Sequence, residues 1–431
     1  MKIPEYIFKV KTEKEWILAN PLNRSVVQLD TDFWHRMNQN PQQLTKEEVA
    51  SCVELGFLVP DSMNEDQYIQ YQLEKTRLKH DELSLYIMLS TLCNFKCIYC
   101  YECNQVKMMT MPEETQQKMI EWIEGVLENE HCRKLKIDLY GGEPTLFFDR
   151  FLALLEQLKI ICQKRKIQLQ VNMVSNGYLL TYDMLKKLSK YYLNEIHISL
   201  DGPKEIHDKR SPLKTGQGTF DKIFSLLKEI GKHKTKFKVI VRMGIDASNI
   251  NQLEPLVKQL KKINKKGNLY PYVSPITETT SGNSCNNCGK NNLLTLDTQI
   301  EAYKKCYDLL YKYGFDIPDF HTYGPCMVLS NSSMVIYPNG DLYKCLDMVG
   351  LKQYIIGNIF QKEWTPYFYE FMNAPHLKYC YQRKCPYISI CGGGCLVKAM
   401  VNNEKFDKPD CPFKVIEELT HYLLRKKYAT E

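Results

Sequence analysis

The segment Cys93-Asn-Phe-Lys-Cys97-Ile-Tyr-Cys100 constrains this chain more than any other. Three cysteines in the spacing C-x3-C-x2-C follow the apolar run Leu85-Tyr-Ile-Met-Leu89. A strand is therefore expected to end in a short loop that carries three close thiolates. Thiolates hold iron–sulfur clusters, and three of them can grip three corners of a cubane. The fourth iron is then left without a protein ligand and can bind something else. The competing reading is a partial zinc site, because C-x2-C pairs also serve zinc. A structural zinc needs a fourth ligand, and Cys103 lies too close to supply it comfortably.

The remaining cysteines point the same way. There are 17 in all, and the opening Met1-Lys-Ile-Pro-Glu-Tyr has no apolar signal core. No run approaches the roughly 18 apolar residues of a membrane span. A cytoplasmic protein with no membrane partner is expected, and in a reducing compartment clustered cysteines mean metal, not a disulfide framework. Seven fall in the last third: Cys326, Cys345, Cys380, Cys385, Cys391, Cys395 and Cys411. The net charge of +7 is spread over lysine-rich helices with no basic run interleaved with aromatics, so nucleic acid is not an expected partner. With 431 residues, 44% of them apolar, two or three domains can each bury a core.

Residues 1–75 read as a small α+β domain. Strands are expected at 6–10 and 15–19, and a turn and third strand within 21–29. A helix should start near Thr31, and Thr45 with Glu48 forms a capping box for a second helix that stops before Gly56. A polar, helix-prone linker over 64–80 leads into the cysteine motif. From 76 to 276 strands alternate with amphipathic helices, the strands falling at 85–91, 135–140, 169–174, 195–200, 237–243 and 270–274. This predicts an α/β fold, a parallel sheet curled into a partial (β/α)6 barrel with its site at the carboxyl ends of the strands. Residues 277–325 form a bridging region with Cys285 and Cys288 on a loop and Cys306 on a helix. Residues 326–431 form a cysteine-rich C-terminal domain.

The remaining motifs sit where the barrel strands should end. Tyr140-Gly-Gly-Glu-Pro144 follows the second strand and Ser175-Asn-Gly177 ends the third. Ser199-Leu-Asp-Gly202 ends the fourth, with His207 and Arg210 downstream, and Arg242 lies on the fifth. The paired glycines let the backbone approach a ligand, and the carbonyls and Glu143 offer acceptors for an ammonium group. With Tyr99 ahead of the third cysteine, these motifs resemble the radical S-adenosylmethionine (SAM) superfamily. The resemblance implies a [4Fe-4S] cluster on Cys93, Cys97 and Cys100 whose open iron chelates the amino and carboxylate groups of SAM. It also implies that Gly141, Gly142, Glu143 and Pro144 meet the SAM amino group, that Ser175 and Asn176 meet the ribose, and that Arg242 pairs with the carboxylate. Tyr99, Ser199 and Asp201 complete the implied cofactor-binding set.

The first 75 residues resemble peptide-recognition (PqqD-like) domains, in which a leader peptide adds a strand to an exposed sheet edge. The alternative is a cap that stabilises the barrel and binds nothing. In the last third, 335–345 reads as a hairpin with an Asn339-Gly340 turn that delivers Cys345, and Gly392–Gly394 let the chain wrap closely. The array resembles the SPASM extension of radical SAM enzymes, which implies two auxiliary [4Fe-4S] clusters. Cys326, Cys345 and Cys395 would hold the first, completed by Cys285, Cys288 or Cys306 or left open for a substrate thiolate. Cys380, Cys385, Cys391 and Cys411 would hold the second. One departure is Cys380-x4-Cys385, where the family usually has C-x2-C. A pair of zinc sites is the competing metal reading.

The resemblance implies an enzyme that abstracts a hydrogen from a ribosomally made precursor peptide and installs a crosslink, with a thioether from a peptide cysteine as the leading product. A reductase such as flavodoxin or ferredoxin is the implied electron donor. The alternative is anaerobic sulfatase-type maturation, cysteine or serine to formylglycine. Those enzymes usually carry an Asp directly after the hairpin cysteine, whereas Leu346 follows Cys345 here and Asp347 comes one place later. A third reading is an iron–sulfur or zinc scaffold without catalysis.

Overall fold

The computed structural model describes residues 1–276, 292–320, 326–403 and 405–429. Cys285 and Cys288 lie outside the described residues. The chain forms two compact units. One comprises Met1–Leu78, Pro318–Ser330 and Asn373–Glu431; the other comprises Lys79–Ile317 and Asn331–Met372.

In the first unit, β1 (Phe8–Lys11), β2 (Glu15–Asn20) and β3 (Ser25–Asp30) make an antiparallel sheet with β2 in the centre. Helices α1 (Thr31–Gln39), α2 (Lys46–Glu54) and α3 (Glu65–Arg77) follow. The expected capping box is present: Thr45 Oγ1 accepts from Glu48 N–H, and the Glu48 carboxylate accepts from Thr45 N–H. Alternation along β1 and β2 makes both sheet faces apolar. Ile7 and Leu18 pack with Trp34, Met37 and Phe57 on one side. Phe8, Val10, Ile17 and Ala19 pack on the other with Phe320, Tyr387, Ile390 and Leu424. Phe8 stacks on Tyr387 at 4.9 Å and meets Phe320 edge-on at 5.9 Å. The segment read from sequence as a domain of its own thus shares a core with the C-terminal chain, because its second apolar face needs a cover.

In the second unit the barrel strands are β4 (Glu82–Met88), β5 (Lys134–Tyr140), β6 (Gln168–Ser175), β7 (Leu193–Ser199), β8 (Lys238–Ile245) and β9 (Leu269–Pro275), parallel and adjacent in that order. Between them run α4 (Glu113–Asn129), α5 (Phe148–Arg165), α6 (Tyr182–Ser189), α7 (Lys204–Arg210), α8 (Phe220–Ile230) and α9 (Glu254–Ile263). Burial alternates along much of these strands, and Leu135, Ile137, Leu139, Val239 and Val241, all fully buried, put one face of the sheet in the core. All six strands expected from sequence are present, as the partial (β/α)6 barrel requires. Helix α10 (Leu296–Lys312) follows, with Cys306 buried in its packed face.

The sheet continues past β4. Strand β10 (Ser333–Ile336) pairs parallel with it, and β11 (Asp341–Tyr343) and β12 (Gly357–Asn358) add antiparallel. The predicted hairpin with its Asn339-Gly340 turn is therefore an extension of the barrel sheet. Helix α11 (Pro366–Asn373) closes this unit, and α12 (His376–Gln382), α13 (Ile388–Cys391), α14 (Leu396–Asn403) and α15 (Phe413–Tyr428) belong to the first. Among the described residues no helix is long and apolar enough to cross a membrane.

A shared core makes a specific prediction. Phe8→Ala should destabilise the first unit by about 3–5 kcal/mol. Hydrogen exchange should speed up both in residues 8–20 and in residues 385–391; faster exchange confined to 8–20 would refute the common core.

Candidate functional site

The cysteine loop is held from two sides. After β4, Met111 N–H bonds Leu89 O (2.8 Å) and Thr91 N–H bonds Met109 O (3.0 Å). The loop itself zips onto the segment after α7: Lys96 N–H to Pro212 O, Ile98 N–H to Arg210 O and Lys214 N–H to Asn94 O, each 2.9 Å. Cys93, Cys97 and Cys100 then share the wall of one cavity of about 450 Å3. Burial pushes the Cys93 thiol up to about 12 and the Cys97 thiol higher still, and the neighbouring thiols add to both. Ionising them in place needs a bound cation, as metal coordination provides. Among the described residues no three His, Cys, Asp or Glu side chains converge on one point as a single ion demands. A cubane spreads its ligands around a larger body, so these three thiols fit it better than one zinc. Asn94 Nδ2, beside Cys93, is a buried donor with no partner in the described structure, which also fits a missing acceptor there.

The glycine motif lies against this loop. Gly142 N–H bonds Ser90 O (3.2 Å) and Glu143 N–H bonds Leu92 O (2.8 Å). A Cβ on Gly141 would stand 2.3 Å from Ser90 O, and one on Gly142 would stand 2.4 Å from Leu92 O, so neither position admits a side chain. Glu143, almost fully buried, accepts from Thr145 N–H (3.0 Å), the Thr145 hydroxyl, the Ser175 hydroxyl (2.8 Å) and Asn176 N–H (2.8 Å). Burial raises its pKa against these bonds. Its carboxylate therefore joins the end of β5 to the end of β6, a holding role that sequence reasoning did not assign. Asn176 Nδ2 carries the link on to Asn94 Oδ1 at 2.8 Å. Gly141, Gly142, Glu143, Ser175 and Asn176 all face the cavity; Pro144 is buried behind it.

Ser199 and Arg242 also line the cavity, from β7 and β8. Arg242 donates to Ser274 Oγ (3.3 Å), also bonds Tyr272 and makes no ion pair among the described residues, which leaves a half-buried guanidinium on the cavity wall for an anion. Asp201 is fully buried and is not part of the wall. Its Oδ1 accepts from Gly244 N–H (2.8 Å), its Oδ2 faces Arg210 (3.5 Å), and Arg210 also pairs with Asp246 (2.7 Å). The Arg210 guanidinium lies over the Tyr99 ring at 5.2 Å, and the Tyr99 hydroxyl is 3.3 Å from Ser211 Oγ. Asp201 and Arg210 thus support Tyr99 and the cysteine loop from behind.

Tyr101, Glu102 and Tyr140 also line the wall, and the sequence reading gave none of them a role. The Tyr101 and Tyr140 hydroxyls are 2.7 Å apart, and Tyr101 also reaches Glu102 (3.2 Å). Burial lifts the Glu102 carboxyl to about 7. Asp347 also lines the cavity. Tyr101 and Glu102 follow Cys100, Tyr140 precedes the glycine pair and Asp347 comes two places after Cys345, and that adjacency is the sequence signal they carry.

The second cysteine array is partly assembled. Cys380, Cys385, Cys391 and Cys411 are mutual electrostatic neighbours; burial and then the other three thiols push Cys380 up to about 12. The long Cys380-x4-Cys385 spacing closes through a helix-ending turn: Lys384 takes φ +48°, and Cys385 N–H bonds Cys380 O at 3.1 Å. Gly394, at φ +84°, has Asp410 O 2.2 Å from where a Cβ would lie, so the chain entering Cys411 runs directly against it. The first array is divided. Cys326 and Cys395 belong to the first unit and are exposed, while Cys345 belongs to the second. Cys306, which sequence offered to complete it, is a buried thiol packed as a small apolar group, pushed up to about 12 by burial.

The radical SAM superfamily matches residues 87–260 of this chain. A cysteine-type anaerobic sulfatase-maturating enzyme of Clostridium perfringens is 25% identical over 335 residues, 71% of this chain and 86% of the relative. Among solved structures, anSMEcpe with bound AdoMet superposes with a TM-score of 0.61 at 21% identity, covering 80% of this chain and 97% of that one. Streptococcus suis SuiB bound to precursor peptide SuiA superposes with a TM-score of 0.56 at 17% identity, covering 96% and 99%. These structural likenesses establish a shared fold.

Glu102 gives a pH prediction. The folded chain keeps its carboxyl protonated up to about 7, whereas the unfolded chain loses that proton in the ordinary carboxylate range. Stability should therefore fall as pH rises through that window, by up to about 3 kcal/mol. In cluster-free protein, urea midpoints at pH 5 and pH 8 should differ less for Glu102→Gln than for the wild type.

Proposed function

We propose, from the premise that this chain is a radical SAM enzyme, that it matures a ribosomally made precursor peptide and installs a thioether from a peptide cysteine. The observation that carries the cofactor assignment is the one cavity collecting Cys93, Cys97 and Cys100 with the Gly141-Gly142 turn, Asn176 and Arg242. A [4Fe-4S] cluster on the three cysteines, with SAM at its open iron, supplies reductive cleavage of SAM and so a hydrogen-abstracting radical. Around it the chain's own residues bind and orient. The Gly141-Gly142 turn lets backbone carbonyls approach an ammonium group, and Arg242 offers a guanidinium to a carboxylate. Ser175 and Asn176 stand ready for ribose hydroxyls. Tyr99, Tyr101 and Tyr140 line the walls with half-buried rings that would limit water at the site. A scaffold that only held metal has no need of these groups. Reduction calls for an external one-electron donor of the flavodoxin or ferredoxin class.

For the auxiliary clusters, the grouping of Cys380, Cys385, Cys391 and Cys411 supports one site. Cys326, Cys345 and Cys395 are assigned to the other by their resemblance to the SPASM pattern. A cluster held by these cysteines would supply one-electron redox chemistry to the site.

The N-terminal sheet is proposed to hold the leader. Strand β3 is an edge strand, and beside it runs an apolar groove of about 300 Å3 lined by Val27, Leu29, Phe33, Met37 and Leu55. An added strand would gain main-chain hydrogen bonds and place alternate side chains in the groove. SuiB covers 96% of this chain and anSMEcpe 80%, a difference about as large as the segment 1–78.

One observation favours a second reading. Asp347 reaches the cavity wall although it comes one place later than the sulfatase-maturase pattern. It offers a carboxylate at the site, as oxidation of cysteine or serine to formylglycine would use.

Anaerobic reconstitution with iron and sulfide, then dithionite and SAM, should yield 5′-deoxyadenosine from the wild type and none from the C93A/C97A/C100A variant. A wild type that forms none would refute the enzyme assignment. Co-expression with a candidate precursor peptide, followed by mass spectrometry, separates the two products. A thioether removes two hydrogens, whereas formylglycine from cysteine removes two hydrogens and also exchanges sulfur for oxygen. Leu29→Asp should weaken leader binding about tenfold or more without slowing SAM cleavage, since burying an apolar side chain is worth about 1.5–3 kcal/mol.

A further inference from the structure

We propose that His207 is a neutral hydrogen-bond donor to the sulfur-rich group held by Cys93, Cys97 and Cys100, and that with Ser211 it sets that group's reduction potential. The proposal rests on the radical SAM reading above and deepens it.

His207 is fully buried on α7 and forms part of the cavity wall. The backbone N–H of Asp201 points at its Nδ1 at 3.2 Å. A backbone N–H can only donate, so Nδ1 is the acceptor and the ring proton sits on Nε2. Burial also disfavours the doubly protonated ring. The tautomer is therefore fixed, with Nε2–H as a donor. That donor has no partner among the described residues. Leaving a buried N–H unpaired costs about 1–3 kcal/mol, which makes an orphan at a cofactor wall informative.

The neighbours indicate the acceptor. Ser211 lies one helical turn beyond His207, its hydroxyl bonds the Cys97 thiol, and both residues line the same cavity. Asp201, which orients His207, is itself fixed by Gly244 N–H and Arg210. Ser199-Leu-Asp-Gly202, His207 and Arg210 thus form one supporting device for the cysteine loop. Hydrogen bonds to cluster sulfurs stabilise the reduced, more negative form and raise the potential. An acceptor of that kind is what Nε2–H lacks.

The test uses the full-length protein reconstituted anaerobically. The electron paramagnetic resonance signal that SAM perturbs reports the first cluster apart from any auxiliary one, and its midpoint potential can be read by redox titration. His207→Phe should shift that midpoint to more negative potential, and His207→Gln, whose amide can still donate, should recover most of the shift. Ser211→Ala should shift it in the same direction as His207→Phe. Equal midpoints in the wild type and His207→Phe would overturn the proposal and leave a buried water as the partner of Nε2. If His207→Phe takes up no iron, electron–nuclear double resonance on 15N-histidine-labelled wild type decides: coupling of one histidine nitrogen to the cluster supports the donor, and its absence refutes it. A wild type with no SAM-perturbed signal would instead mean that the radical SAM reading itself has failed.

Discussion

The geometry of the site depends on one buried carboxylate. Glu143 sits where β5 ends, and isolated from water its charge would be expensive. Four donors satisfy it: two from Thr145, one from Ser175 and one from Asn176. Because two of these lie on the next strand and its exit loop, satisfying the charge fixes the spacing of two loops. Asn176 then reaches Asn94 inside the cysteine loop, so the third motif in the ring is tied to the first two. Neighbouring strands in a parallel sheet set their own register, but nothing in the sheet dictates how the loops beyond it converge. Here a hydrogen-bonded acid does so, on the side where the strands end.

A second buried set does the same from the other direction. Arg210 between Asp201 and Asp246 is an ion network closed to solvent. Buried ion pairs are weak evidence of stability, since desolvation offsets most of the attraction. Their geometry is more informative. Arg210 lies over Tyr99, its carbonyl accepts from Ile98, and the following residues run antiparallel to the cysteine loop. Without these contacts the loop would be held only at its start, through Leu92 and Asn94. With α7 behind it, the loop can present its thiols without a metal already in place.

Much of this was legible in the chain. Six apolar runs alternating with helical segments specify a parallel sheet because no other arrangement covers both strand faces. The cysteine spacing and the glycine pair were legible because close thiolates and absent side chains each have few structural uses. The roles of Glu143 and Asp201 were less so. A carboxylate that binds a ligand and one that braces a loop look identical in sequence, and only the count of donors around each distinguishes them. The contribution of Asp347 was hidden because a one-residue displacement along a loop can be absorbed by a turn. The longer spacing of Cys380 and Cys385 is taken up by Lys384 in the left-handed region.

The grouping of the N-terminal sheet with the C-terminal chain follows from strand alternation as directly as the barrel does. Ile7 and Leu18 face one way and Phe8, Val10 and Ile17 the other, so α1 and α2 can cover only half of the apolar surface. The other half is covered by Phe320, Tyr387, Ile390 and Leu424. Tyr387 and Ile390 lie between Cys385 and Cys391, within the second cysteine array. Strand β1 therefore packs through Phe8 on the short stretch that sets the spacing of two proposed cluster ligands. A dense core transmits displacement instead of absorbing it. Any tightening of the sheet when a peptide strand joins its β3 edge acts on a core that the cysteine segment shares. If the sheet takes up a peptide and the cysteines a cluster, as proposed, the two would be coupled by packing within one unit.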